Sequence, residues 1–109
     1  METIEDFKKV ELRVGTIIEV NDFLEAIKPA FKLKIDFGGF GVKQSSAKIT
    51  DHYSKEDLVG RQIIAVVNFP VKKVANYDSE VLVLGADSHE GGIILLELDE
   101  PIQNGVKIS

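Results

Sequence analysis

Apolar and polar residues alternate with a period of two along several stretches of this chain, the pattern of strands with one buried face. Leu12, Val14, Thr16, Ile18 and Val20 alternate with Arg13, Gly15, Ile17 and Glu19. Gly15 inside this run predicts a bulge, or a sharp bend of the kind strands adopt when they coil into a small barrel. Phe31, Leu33, Ile35 and Phe37 alternate with Lys32, Lys34 and Asp36, which gives one apolar and one mostly basic face. Gly38-Gly39 then turns the chain, and Gly41 to Ser46 is read as a third short strand pairing back. Gln62 to Phe69 is almost wholly apolar and rich in Val and Ile, so a strand buried on both faces is expected there, stopped by Pro70. Lys72 to Asp78 reads as a turn, followed by apolar runs at Glu80 to Leu84 and Ile93 to Leu98. Asn104-Gly105 predicts a last tight turn before a short strand at Val106 to Ile108.

Two helices are expected from their start signals. Thr3-Ile4-Glu5-Asp6 and Ser54-Lys55-Glu56-Asp57 each fit a capping box, in which hydroxyl and carboxylate satisfy the free N–H groups of a first turn. They predict a helix over about Ile4 to Lys9, and one or two turns ending at Gly60. Five principal strands with a short helix between the third and fourth describe an all-β chain: a five-stranded OB-fold barrel with short helices and C-terminal extension strands. The apolar runs after Phe69 exceed what such a barrel needs, which predicts burial against a second subunit and hence a homodimer.

Length and composition narrow the function. The 109 residues support a single domain over 1–109, and 44% hydrophobic with 28% charged residues is an ordinary globular balance. With no Cys, disulfides, thiol nucleophiles and cysteine-held zinc are excluded, which suits a reducing cytoplasm. The acidic start at Glu2, Glu5 and Asp6 is unlike a secretory signal, and no apolar run approaches the roughly 20 residues of a membrane span. A cytoplasmic protein without membrane insertion is therefore expected. His52 and His89 are the only histidines, and Asp87-Ser88-His89-Glu90 lies between glycines with no matching cluster, so it reads as a polar loop tip. Neither an enzyme nor a metal or cofactor site is expected.

The net charge of −5 is unfavourable for nucleic acid, yet its distribution is uneven. Residues 1–25 and 78–109 are acidic, at −4 and −6, whereas 26–77 carry +5. Within that middle part, Lys43-Gln44-Ser45-Ser46-Ala47-Lys48 offers cations, an amide and hydroxyls among small residues, as phosphate contacts require. Lys72-Lys73, with Asn76 and Ser79 beyond, is a second such group. The competing reading of both is a solvated surface. Phe40 and Tyr77, in turn regions, are the better stacking candidates, since the alternating Phe residues belong to the core.

Four ordered segments carry a resemblance. Leu12-Arg13-Val14-Gly15-Thr16-Ile17, Lys43 to Thr50, Val66-Val67-Asn68-Phe69-Pro70 and Ser79 to Gly85 together resemble the tRNA-binding domain family, over about Phe7 to Ile108. That family includes the C-terminal appendix of bacterial methionyl-tRNA synthetases and the CsaA branch of stand-alone proteins described as secretion chaperones. The resemblance implies an OB-fold, a homodimer, and binding of tRNA by shape and backbone. For the CsaA branch it also implies unfolded or exported preproteins as partners, with the translocation ATPase SecA. Carried over by position, the RNA surface falls at Lys32, Lys34, Lys43, Gln44, Ser45, Ser46, Lys48, Lys72, Lys73, Asn76 and Ser79, with Arg13 as a structural member of the first motif. The chain departs from the pattern at Asn76, where many members carry Gly and a left-handed turn residue is expected. It also has Ser45-Ser46 in place of a Ser-Gly pair, and Asp78 beside the Lys72-Lys73 loop.

Overall fold

The computed structural model describes residues 2–109. Along the chain come α1 (Ile4–Lys8), β1 (Leu12–Asp22), β2 (Phe31–Asp36), a 3-10 turn (Gly38–Phe40), β3 (Val42–Ala47), α2 (Lys55–Leu58) and β4 (Gln62–Val66). Five short strands follow: β5 (Lys72–Val74), β6 (Tyr77–Ser79), β7 (Leu82–Val83), β8 (Gly85–Asp87) and β9 (Ile93–Leu95). The antiparallel sheet β3-β2-β1-β4-β7 curls into a nearly closed five-stranded barrel, with β5-β6 and β8-β9 as separate hairpins.

Alternation explains the core. Phe31, Leu33 and Ile35 of β2 point inward with Ile17 of β1 and with Ile63 and Ala65 of β4. Leu58 of α2 joins the same cluster and is fully buried, so the helix between β3 and β4 contributes directly to the barrel interior. Both capping boxes form as the sequence predicts: Thr3 caps α1 with Asp6, and Ser54 caps α2 with Asp57. Hydrogen bonds from Ser54 hold the Asp57 carboxyl below its usual range.

Several expectations are revised. The bulge in β1 lies between Ile17 and Glu19, not at Gly15, and it throws Ile18 outward. Gly15 serves a different need: a Cβ there would stand 2.7 Å from Ile35 Cγ2 and from the Phe37 ring, so only glycine lets β1 pass this close beneath β2. The stretch Lys72 to Asp78 is a hairpin, and its left-handed residue is Ala75 (φ 52°), not Asn76. The strand beginning at Gln62 ends at Val66, leaving Phe69 half exposed. The apolar run after Glu80 splits at Leu84, so that β7 completes the barrel and β8 starts the last hairpin. Val106 to Ile108 lies against the start of β1, through Val14 N–H to the Val106 carbonyl and Ile108 N–H to the Leu12 carbonyl. Arg13 secures that contact. Its guanidinium donates to the Gly105 carbonyl at 2.7 Å, pairs with Glu11 at 3.2 Å and covers the Phe40 ring at 3.9 Å.

Candidate nucleic-acid interface

Register decides which polar residues share a face. In antiparallel strands directly opposed residues point the same way, and β2 sets Lys32 opposite Ser46 and Lys34 opposite Gln44. On the other side β1 sets Asn21 beside Lys32 and Glu19 beside Lys34. Three neighbouring strands thus present a polar outer face whose inner side is the barrel core. The cations on it are held by neighbours: Lys34 Nζ lies 4.0 Å from Glu19 and Lys32 Nζ 3.5 Å from Glu25. Lys32 also sits 5.0 Å from the Phe23 ring centroid and 5.3 Å from that of Tyr77, while the two rings meet edge to face at 5.5 Å. Through this contact the loop after β1 touches the β5-β6 hairpin across one end of the face. Burial, followed by the nearby carboxylates Glu19 and Glu80, raises the Tyr77 hydroxyl above its ordinary pKa of 10.0.

The barrel seam takes up the rest of the serine-rich segment. Glu80 N–H donates to the Gln44 carbonyl at 2.8 Å, and Gln44 N–H donates to the Glu80 carboxylate at 2.9 Å. The Gln44 amide donates to the Asp78 carbonyl at 2.7 Å. Ser46 N–H donates to Ser79 Oγ at 3.1 Å, and Ser45, 1% exposed, donates to the Ser46 carbonyl at 3.0 Å with Ser79 Oγ at 3.3 Å. Ser45 is opposite Leu33, so its side chain faces inward. The hydroxyls of Ser45 and Ser79 and the amide of Gln44 therefore stitch β3 to the segment entering β7.

The remaining sequence-chosen residues are dispersed. Lys43 is half-buried and opposite Ile35, on the inward side of β3, whereas Lys48 is exposed just past the end of the strand. Lys72 and Lys73 are exposed on β5, Lys73 pairs with Asp78 at 3.3 Å, and Asn76 is exposed at the hairpin tip. Among the described residues Lys43, Lys48 and Lys72 have no carboxylate within ion-pair distance. Of the two stacking candidates, Phe40 is covered by Arg13 and Tyr77 belongs to the aromatic contact above. His52 bonds to the Gly91 carbonyl at 2.7 Å, and the loop bearing His89 closes the β8-β9 hairpin. No group of three metal-ligating side chains occurs among the described residues, and no helix there is long and apolar enough to cross a membrane. Sequence reasoning missed Phe23 and the loop that follows it. The signal available was Phe23 itself, an aromatic residue outside the strand alternation.

A face on the second and third strands, bordered by the loop after the first strand and the loop before the last barrel strand, is where OB-folds bind oligonucleotides. Residues 12–107 match the family described as "Putative tRNA binding domain", and the chain belongs to that tRNA-binding domain family. It is 38% identical over 107 residues to methionine–tRNA ligase of Caldanaerobacter subterraneus subsp. tengcongensis, a match covering 98% of this chain and 16% of the ligase. The ligase of Thermococcus onnurineus is 36% identical, with 95% and 14% covered, so the chain spans about a sixth of the length of these relatives. Among solved structures, chaperone CsaA of Bacillus anthracis superimposes with a TM-score of 0.95 at 52% identity, covering 100% of this chain and 99% of that one. CsaA chaperone protein of Picrophilus torridus does so with 0.94 at 55% identity, covering 100% of both.

Proposed function

We propose that this chain binds tRNA without catalysis, by backbone and shape, on the outer face of β2 and β3. The observation that carries this reading is the strand register that sets Lys32, Lys34 and Ser46 on one surface at the OB-fold ligand position. Lys48 and Lys72 add exposed cations without ion-pair partners, Lys73 adds one paired with Asp78, and Asn76 adds a neutral amide at the hairpin tip, whereas Lys43 lies on the inward side of β3. Ser45 and Ser79 from behind, and Gln44 from the outer face, fix β3 to the segment entering β7. Two copies form a homodimer in the cytoplasm and so present two such faces. The test is a titration with mixed tRNA at several salt concentrations beside an unfolded-protein competitor. Saturable binding is expected, with log affinity falling by about 0.9 per neutralised phosphate for each log unit of salt, and with no effect of the competitor. A protein that ignores tRNA at low salt sinks the reading.

A second reading has its own observation. Phe69, Val71 and Leu82 are exposed, and Phe69 and Leu82 line a groove with Pro70, Lys72 and Val81. Such a groove suits an unfolded polypeptide, as a secretion chaperone would bind, and the two CsaA structures favour this reading. Exported preproteins and SecA would then be the partners, and capture of the unfolded competitor at any salt would identify that activity.

A further inference from the structure

The turn before the last residues is held closed through one asparagine–glycine pair. Asn104 Oδ1 accepts from Thr16 Oγ1 at 2.7 Å and from Gln62 Nε2 at 3.0 Å, so its side chain is bound to both β1 and β4. Gly105 is buried; its N–H donates to the Val14 carbonyl at 2.8 Å and its own carbonyl takes the Arg13 guanidinium at 2.7 Å. The backbone here admits only glycine, because Gly105 has φ 92° and a Cβ on it would stand 2.5 Å from the Phe37 carbonyl oxygen. Gly38 packs on the same turn so closely that a Cβ on it would stand 2.5 Å from the Asn104 carbonyl oxygen. Beyond the turn, the chain is joined to β1 by an isolated bridge at Lys107 and not by a full ladder.

We propose that Asn104-Gly105 is a spontaneous modification site governed by this turn: inert while the turn is closed, and deamidated once it opens, with isoaspartate as the product that keeps it open. Asparagine followed by glycine is the pair most prone to deamidation, because no Cβ shields the following amide nitrogen. The Gly105 nitrogen gives its proton to base and attacks Asn104 Cγ; the Cγ–Nδ2 bond breaks, ammonia leaves and a cyclic imide remains. Water then opens the imide at one carbonyl to give aspartate, or at the other to give isoaspartate, in which the main chain runs through the former side chain. In the closed turn the two reacting groups are held by different partners, the nitrogen by Val14 and the amide by Thr16 and Gln62. Opening frees both, and chain ends tied down by few bonds open at the lowest cost. The two products then part ways. Among the described residues every hydrogen bond of the Asn104 side chain goes to its oxygen, so aspartate keeps both bonds and lets the turn reclose. Isoaspartate adds a carbon to the main chain, which draws Gly105 N–H away from Val14, and the close approach of Phe37 and Gly38 leaves no space to absorb it.

The test incubates the full chain in mildly alkaline buffer and follows each asparagine by peptide mapping, with aspartate and isoaspartate resolved. Conversion of Asn104 should be at least about tenfold slower in the folded protein than in the same chain held unfolded in urea, since only the open fraction reacts. Thr16→Val and, separately, Arg13→Ala each remove one bond from the closed turn and should speed Asn104 by about threefold to tenfold. Asn68 and Asn76, followed by Phe69 and Tyr77, serve as internal controls and should keep their rates in both variants. Returned to native buffer, chains bearing isoaspartate should melt lower than the starting protein, whereas Asn104→Asp should melt with it. Equal rates in folded and unfolded protein overturn the proposal, because the turn then protects nothing. Acceleration of all three asparagines together overturns it too, since global unfolding and not the turn would be in control. Isoaspartate chains that melt like the starting protein would show that the turn recloses around either product, and the proposal fails there as well.

Discussion

The outer face of β2-β3 and the seam between β3 and β6 draw on the same six residues of sequence, yet they use them oppositely. Ser46 and Lys34 lie on a surface open to a ligand, whereas Ser45 and Ser79 direct their hydroxyls at each other and at nearby backbone. The difference comes from strand parity alone: one step along β3 moves a side chain from solvent to the interior. A hydroxyl in a basic segment is therefore evidence for phosphate contact only once its side of the strand is known.

Three variants sharpen that comparison. The largest effect is expected from Lys48→Glu, Lys72→Glu in one chain. Both cations are exposed and have no ion-pair partner to strand, so melting should hold while tRNA affinity falls by about tenfold or more. The salt slope should shrink by about 2 units if each meets one phosphate. Ser79→Ala should do the reverse. It removes the acceptor of Ser46 N–H and should lower stability by about 1–2 kcal/mol in urea denaturation, with the affinity of the folded fraction little changed. A variant that kept its stability but lost tRNA would move Ser79 from the seam to the binding surface.

The smallest effect is expected at Tyr77, where the two regions meet. Its hydroxyl titrates above 10.0 when folded, so the folded chain keeps a proton that the unfolded chain loses. Stability from this residue is complete below about pH 10 and is lost as pH rises through the folded value. In melts from pH 8 to 11, Tyr77→Phe should decline less steeply than the unaltered protein. Identical slopes would mean that Tyr77 is solvated in the folded chain.

Much of this architecture is legible in the sequence because its signals are local. Two capping boxes placed both helices, and the alternation of Phe31, Leu33 and Ile35 with Lys32 and Lys34 placed β2 and its outward cations. The hairpin β5-β6 has the sequence of a turn because three exposed or half-exposed residues per strand leave no hydrophobic period. Gly15 suggests a bend when β1 is taken alone, because its actual reason, the Ile35 and Phe37 side chains overhead, comes from elsewhere in the chain. The candidate surface was half visible. Composition singled out the Lys43–Lys48 segment, but the burial of Ser45 and the closure of Glu80 onto Gln44 are long-range facts that a period along one strand does not carry. The carboxylates that hold Lys32 and Lys34 were present in the sequence as acids of the N-terminal quarter, with nothing to say that they would face those cations.

The hydrogen bonds that tie residues 106–108 to the start of β1 have a consequence for how such a barrel travels between proteins. First strand and last residues lie side by side, so the chain enters and leaves the barrel itself at one place. A barrel entered and left at one pole can be set into a larger chain without threading a linker across its own strands.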